Sequence, residues 1–273
     1  MERVLTLQLT GNHFRVSADA FPHLHEIVSV ACETLDLPKH PEIYMGGISG
    51  LNAITAGIDR PIVAVSTSLV DALTDEELSF VVAHELGHIK SGHVLYRQIA
   101  EFLPLIVSQI ETMTLGLGKL FSAGIRVALR SWERTSELTA DRAGLLATQN
   151  PDAAFSALMK LAGLPQKYFD SVNTQDFIAQ AREFRAMDGD TMNWVLKALT
   201  IANNSHPWTV ARAHELLDWI DSGEYSRILA AGQAMGSRAL GQGNRGVYCN
   251  QCGSALKADA AFCNQCGSKR IAS

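Results

Sequence analysis

The stretch His84-Glu85-Leu86-Gly87-His88 constrains this chain more than any other. On a helix, positions i and i+4 share one face, so His84 and His88 offer two imidazole nitrogens to a single metal ion, with Glu85 beside them. The surrounding residues read as a helix. Thr74-Asp75-Glu76-Glu77 is a capping box, in which the Thr74 hydroxyl accepts from the third backbone N–H and Glu77 reaches back. Leu78, Val81, Val82, Leu86 and Ile89 follow at helical spacing and form an apolar stripe. The helix is expected to run to about Gly92. His93 lies five residues beyond His88, off the ligand face, and reads as structural or as support for a ligand.

Two histidines leave a metal site incomplete. A second helix, Ser131 to Thr148, carries Glu137 and Asp141 at i, i+4. Two His from one helix and one Glu from another make a catalytic zinc arrangement with a fourth position for water. Glu137 is the preferred third ligand over Glu101, Glu111, Glu133 and Asp141. Asp141, one turn on, is better placed to orient a ligand histidine through its second nitrogen. The competing reading makes Glu133, Glu137, Asp141 and Arg142 a solvated helix face with i, i+4 pairs.

Around this pair, Val4 to Leu9 alternates like a short strand. Ala18 to Leu37 reads as a helix stopped by Pro38. Leu51 to Gly57 and Pro61 to Ser66 read as strands joined by a turn at Asp59-Arg60-Pro61. A strand just before the metal helix suits a sheet edge, which can take up an extended peptide through backbone hydrogen bonds; a plain packed hairpin is the alternative. Ser68 to Leu73 is a short helical turn. Asn150-Pro151 opens a helix with Asn at the cap and Pro at the first position. Thr174 to Arg185, Thr191 to Ala202 and the stretch after Pro207 read as further helices. His206, at the last of these starts, is a candidate to steady a charged intermediate, with a surface or capping role as the alternative.

Taken together, these pieces resemble the HtpX-type and CAAX-prenyl-protease-type zinc metallopeptidases, a gluzincin family. The resemblance rests on Asn52-Ala53-x-Thr55 with Gly57, His84-Glu85-Leu86-Gly87-His88 with Ser91-Gly92-His93, Glu137-Leu138-Thr139-Ala140-Asp141, and His206-Pro207 with Arg212. It implies that His84, His88 and Glu137 bind a catalytic zinc, that Glu85 is the general base and that Asp141 supports the ligands. It also implies that Asn52, Ala53, Ile54 and Thr55 form the substrate edge, and that His206 and Arg212 line the cleft, where one or the other is expected to stabilise the oxyanion. The implied activity is hydrolysis of peptide bonds in unfolded or extended protein substrates. The alternative is a zinc-stabilised binding or chaperone-like module without turnover.

Many relatives show clear spanning helices. Here the most apolar stretch, Phe102 to Leu129, is interrupted by Glu111, Lys119 and Arg126, which leaves less than the roughly 18 uncharged residues of a spanning helix. It reads as core, with a peripheral dock on the membrane surface as the alternative. The net charge of −5 includes no basic block, so nucleic acid is not expected as a partner.

Four of the five Cys lie near the end of the chain, as Cys249-Asn250-Gln251-Cys252-Gly253 and Cys263-Asn264-Gln265-Cys266-Gly267. Two C-x-x-C knuckles at this spacing suit a tetrahedral zinc held by four thiolates, so the module resembles a zinc ribbon with a structural ion. Its expected partner is protein. Paired Cys without a signal-peptide pattern at Met1-Glu2-Arg3-Val4 point to a reducing, cytoplasmic address, with peripheral membrane contact kept open. The expected architecture is α+β and mostly helical. It has a zincin-like metallopeptidase domain with a small sheet over residues 1–231, a flexible Gly-rich linker over 232–247 and a four-cysteine ribbon over 248–270. Two zinc ions are expected, one catalytic and one structural.

Overall fold

The computed structural model describes residues 2–100, 118–187, 208–241, 247–248 and 255–256. They form two units, residues 1–223 and 224–273.

In the first unit a four-stranded sheet lies beside a set of helices. The strands are β1 (Phe14–Arg15), β2 (Glu42–Gly46), β3 (Ala53–Ala56) and β4 (Ile62–Ser66), in the order β1-β2-β4-β3. β2 and β4 pair in parallel, and the two outer pairings are antiparallel. All five residues of β4 are buried, which explains its unbroken Ile-Val-Ala-Val run: a central strand has no solvent face. β3 pairs only with β4 among the described residues, so the expected edge position before the metal helix is found. Ser66 fixes that corner. Its hydroxyl caps helix α3 (Thr67–Ala72) through the Leu69 N–H and also accepts from the Asn52 N–H.

The chain opens with α1 (Glu2–Asn12), where alternation predicts a strand. The segment satisfies its backbone locally as a helix instead of joining the sheet. It buries Leu9 against Tyr44, Ile62 and Ala64 and leaves Val4 and Leu7 exposed. Helix α2 (Pro22–Thr34) is shorter than expected at both ends. It buries Cys32 completely, and burial, aided by Glu33, pushes that thiol up to about 11, so it is an inert core group.

Helix α4 (Asp75–Lys90) carries the His-Glu-Leu-Gly-His stretch. Both halves of its capping box are made: Glu77 N–H to the Thr74 hydroxyl at 3.4 Å, and Thr74 N–H to Glu77 Oε2 at 2.8 Å. Glu77 does more than cap. It is buried and accepts from Lys160 Nζ at 2.7 Å and from the Ser156 hydroxyl at 2.5 Å. Those partners lie on α7 (Pro151–Leu161), whose Asn150 cap and leading proline are as expected. After a turn at residues 91–92, α5 is described over 93–100, and α6 runs Gly118–Thr148. Helices α8 (Thr174–Ala186) and α9 (Thr209–Asp221) complete the unit, with α9 packed on α6, α7 and α8. The expected helix at Thr191 to Ala202 lies outside the described residues, as does most of Phe102 to Leu129. Among the described residues no helix is long and apolar enough to cross a membrane.

Helix α4 crosses α6 at very short range. A Cβ on Gly87 would stand 2.7 Å from Ala143 Cβ and 3.2 Å from Ala140 Cα. Across the same contact, a Cβ on Gly144 would stand 2.9 Å from the Phe80 ring. The two glycines let one backbone sink against the other. We expect Gly87→Ala to destabilise despite a helix-propensity gain of about 1 kcal/mol, because overpacking costs about 1–3 kcal/mol. A lower urea midpoint at unchanged slope is the expected readout, and a stabilised variant would contradict the contact.

The second unit contains α10 (Glu224–Gly241) and a two-stranded antiparallel pairing of β5 (Val247–Tyr248) with β6 (Ala255–Leu256). The linker expected over 232–247 is therefore helical as far as Gly241. Its glycines there are spaced widely enough for Ala234, Met235, Ala239 and Leu240, all good helix formers, to carry the helix.

Candidate active site

The close crossing of α4 and α6 sets the geometry of the site. His84 and His88, one turn apart on α4, face Glu137 on α6. One donor atom from each of the three lies within 4.8 Å of the others. The two Nε2 atoms are 3.2 Å apart, and Glu137 places Oε2 3.5 Å from His84 Nε2 and Oε1 3.5 Å from His88 Nε2. Glu137 is 5% exposed and Asp141 1%, so the solvated-face reading of these carboxylates does not hold.

Each histidine has its outer nitrogen occupied. His84 Nδ1 lies 2.9 Å from Asp141 Oδ1, as expected of an orienting carboxylate. His88 Nδ1 lies 3.1 Å from His93 Nδ1. Asp141 is itself gripped by Arg212, whose Nε donates to Oδ2 at 2.8 Å and Nη2 to Oδ1 at 2.5 Å. The sequence reading puts Arg212 in the cleft, with it or His206 on the oxyanion. In the structure Arg212 does line the cleft, and two of its nitrogens are committed to Asp141, the partner of His84. Arg97 on α5, which no motif singles out, donates to Glu137 Oε1 at 3.3 Å. Its signal in the sequence was one basic residue in a run of helical spacing, which carries no chemistry without the fold.

Burial and charge divide the protons. Burial favours neutral His84, but its hydrogen bonds to Asp141 and Glu137 outweigh that and raise its pKa. Burial and the neighbouring His84 push His88 down. Burial opposes ionisation of Glu137 and Asp141, yet His84 holds the first, and Arg212 the second, below the usual carboxylate range. The site thus sets two buried carboxylates against two imidazoles, a donor set that suits a cation.

Glu85 sits beside this triangle, 7% exposed. Thr55 on β3 donates its hydroxyl to Glu85 Oε2 at 2.6 Å and lies 3.2 Å from the Glu85 carbonyl oxygen. Of the four residues expected to hold substrate, Thr55 therefore points inward and fixes Glu85. Asn52, Ala53 and Ile54 line a cleft of about 580 Å3 together with His84, Glu85 and His88. His206 and the four cysteines Cys249, Cys252, Cys263 and Cys266 lie outside the described residues.

Comparison with known proteins gives the family. The Peptidase family M48 profile matches residues 18–220. The chain is 34% identical over 230 residues to the plastoglobule-localized metallopeptidase 48, chloroplastic, of Arabidopsis thaliana, covering 84% of this chain and 65% of that protein. It is 30% identical over 239 residues to the protease HtpX homolog 2 of Methanosarcina acetivorans, covering 78% of this chain and 77% of that protein. The crystal structure of S. mikatae Ste24p aligns with a TM-score of 0.48 at 17% identity, over 79% of this chain and 55% of that one. The chain belongs to peptidase family M48, and its helical unit is a metallopeptidase domain.

Proposed function

We propose that the chain is a zinc endopeptidase that cleaves extended or unfolded polypeptides, with His84, His88 and Glu137 as the zinc ligands. The donor triangle carries this reading. Bonds of about 2.0–2.1 Å in a tetrahedral site put ligand atoms about 3.3 Å apart. The two Nε2 atoms, 3.2 Å apart, and the 3.5 Å from each to its nearer Glu137 oxygen, Oε2 for His84 and Oε1 for His88, are close to that edge length. The donor set, two neutral imidazole nitrogens and one carboxylate, is that of a catalytic zinc with an open fourth position. Bound there, zinc supplies Lewis-acid polarisation of a carbonyl and acidifies a water molecule.

The chain's own residues supply the rest. Glu85, anchored through one oxygen by Thr55, takes the proton of the attacking water and returns it to the leaving amine. The free edge of β3 pairs with substrate backbone, which gives hold without strong sequence preference. Arg212 and Asp141 keep His84 in the tautomer that presents Nε2. His206 is proposed to meet the developing oxyanion. In the second unit, Cys249, Cys252, Cys263 and Cys266 are proposed to hold a structural zinc in a module that recruits protein. The antiparallel β5–β6 pair brackets the first two cysteines in sequence, which suits a knuckle.

The test uses an unfolded protein substrate and the full chain, first stripped with a chelator and then reloaded with zinc. Cleavage lost on stripping and regained on reloading, at two zinc ions per chain, is the expected result. Cleavage that survives stripping would remove zinc from the mechanism, and a zinc-loaded chain that binds the substrate without cutting it would favour a binding module.

A further inference from the structure

We infer that His93 is the positioning residue for His88, fixing the proton on that ligand through a histidine–histidine hydrogen bond. The inference rests on the zinc site proposed above. His88 turns Nε2 towards His84 and Glu137, at 3.2 and 3.5 Å. A nitrogen that donates its lone pair to a metal carries no proton, so the ring's one proton is on Nδ1. The atom that receives it is His93 Nδ1, 3.1 Å away. His93 then accepts at Nδ1 and carries its own proton on Nε2. One contact thus sets the tautomer of both rings.

The two ligand histidines are backed unequally. His84 leans on Asp141, a carboxylate locked by Arg212. His88 leans on an uncharged ring. A carboxylate partner raises the basicity of a ligand imidazole more than a neutral acceptor does. His84 is accordingly the stronger donor, and the net charge of the site stays one unit less negative than with two carboxylate supports.

Spacing alone hides this role, since five residues past His88 is off the α4 ligand face. The turn after α4 supplies the missing rotation: Gly92 has φ 68° and its N–H returns to the Ile89 carbonyl. His93 then starts α5 and is 8% exposed. Its ring meets Trp132 of α6 edge to face, with centroids 5.7 Å apart at 84°. Tyr96 packs on the same indole at 5.4 Å. The imidazole is therefore clamped by an aromatic from the helix that carries Glu137.

The experiment compares His93→Asn with His93→Phe in the full chain. Asn sets its Oδ1 close to where Nδ1 stands and keeps the acceptor; Phe keeps the ring and removes it. Metal affinity is read by chelator competition on the cobalt-substituted protein, following the d–d absorption of the nitrogen-and-oxygen site, which lacks the thiolate charge-transfer bands of a cysteine site. We expect His93→Phe to lose about 10–100-fold in affinity and His93→Asn to retain the wild-type value. Nitrogen-15 shifts of the wild-type zinc form should show His93 protonated on Nε2 only. Equal losses in both variants would make His93 a packing residue and overturn the inference, as would no loss in either. A wild-type chain without that cobalt site would overturn the zinc reading along with it.

Discussion

Glu85→Gln lowers kcat for a quenched fluorescent peptide by about 10²–10⁴-fold, the range supplied by a positioned general base, while zinc content and melting temperature stay at wild-type values. The structure gives each part of this expectation a cause. Glu85 is outside the donor triangle, so its carboxylate charge is not needed to hold the ion. A glutamine oxygen still accepts from the Thr55 hydroxyl, now 2.6 Å from Oε2, so the side chain stays in place. What disappears is the ability to take a proton from water. Zinc analysis by atomic absorption beside steady-state kinetics decides the matter. Wild-type turnover in Glu85→Gln would place the base elsewhere, and loss of zinc would make Glu85 part of the metal site.

Arg212→Met is expected to cost about 3–5 kcal/mol of stability, because it leaves the Asp141 carboxylate buried without its counter-charge. Asp141 is 1% exposed and takes two hydrogen bonds from Arg212. Its remaining partner, His84, is also a proposed ligand, so zinc affinity should fall by about 10–100-fold in the same variant. Arg212→Lys restores little, since an ammonium lacks the planar fork that reaches both oxygens. Adding Asp141→Asn to Arg212→Met should recover part of the stability by removing the stranded charge, a coupling that a double-mutant cycle reads directly. The experiment also separates two roles. An arginine working on the oxyanion would lower kcat and spare both stability and zinc affinity. An arginine working through Asp141 lowers all three.

How much of this was legible beforehand depended on whether the signal was local. The α4 cap was readable because Thr74 and Glu77 satisfy each other within one turn. The Asn150-Pro151 start was readable for the same reason. The pairing of His84 with His88 follows from helix geometry, and Asp141 follows from its place one turn beyond Glu137. Arg97 and Lys160 were not readable as site or network residues, because each acts across a tertiary contact that no periodicity reports, whereas His93 was readable as structural or as support for a ligand, without showing which ligand it supports. Arg97 reaches Glu137 from 40 positions away, and Lys160 reaches Glu77 from 83. The glycine pair Gly87 and Gly144 finds its use only where α4 crosses α6, a contact that no local pattern reports. The failure at α1 has the reverse cause. Alternation over Val4 to Leu9 is a true local signal, overridden by a helix that buries Leu9 against Tyr44, Ile62 and Ala64.

The Thr55 hydroxyl joins two parts of the enzyme that ordinarily have separate duties. Among the described residues β3 pairs with the sheet along one side only, and its Thr55 also bonds Glu85. A polypeptide lying along the open side therefore braces the strand that braces the base. Chain length far from the scissile bond is then converted into alignment at the point of proton transfer. Longer substrates should gain in kcat as well as in KM, with the gain in kcat shrinking when Thr55 is replaced by Val and the strand no longer grips the carboxylate.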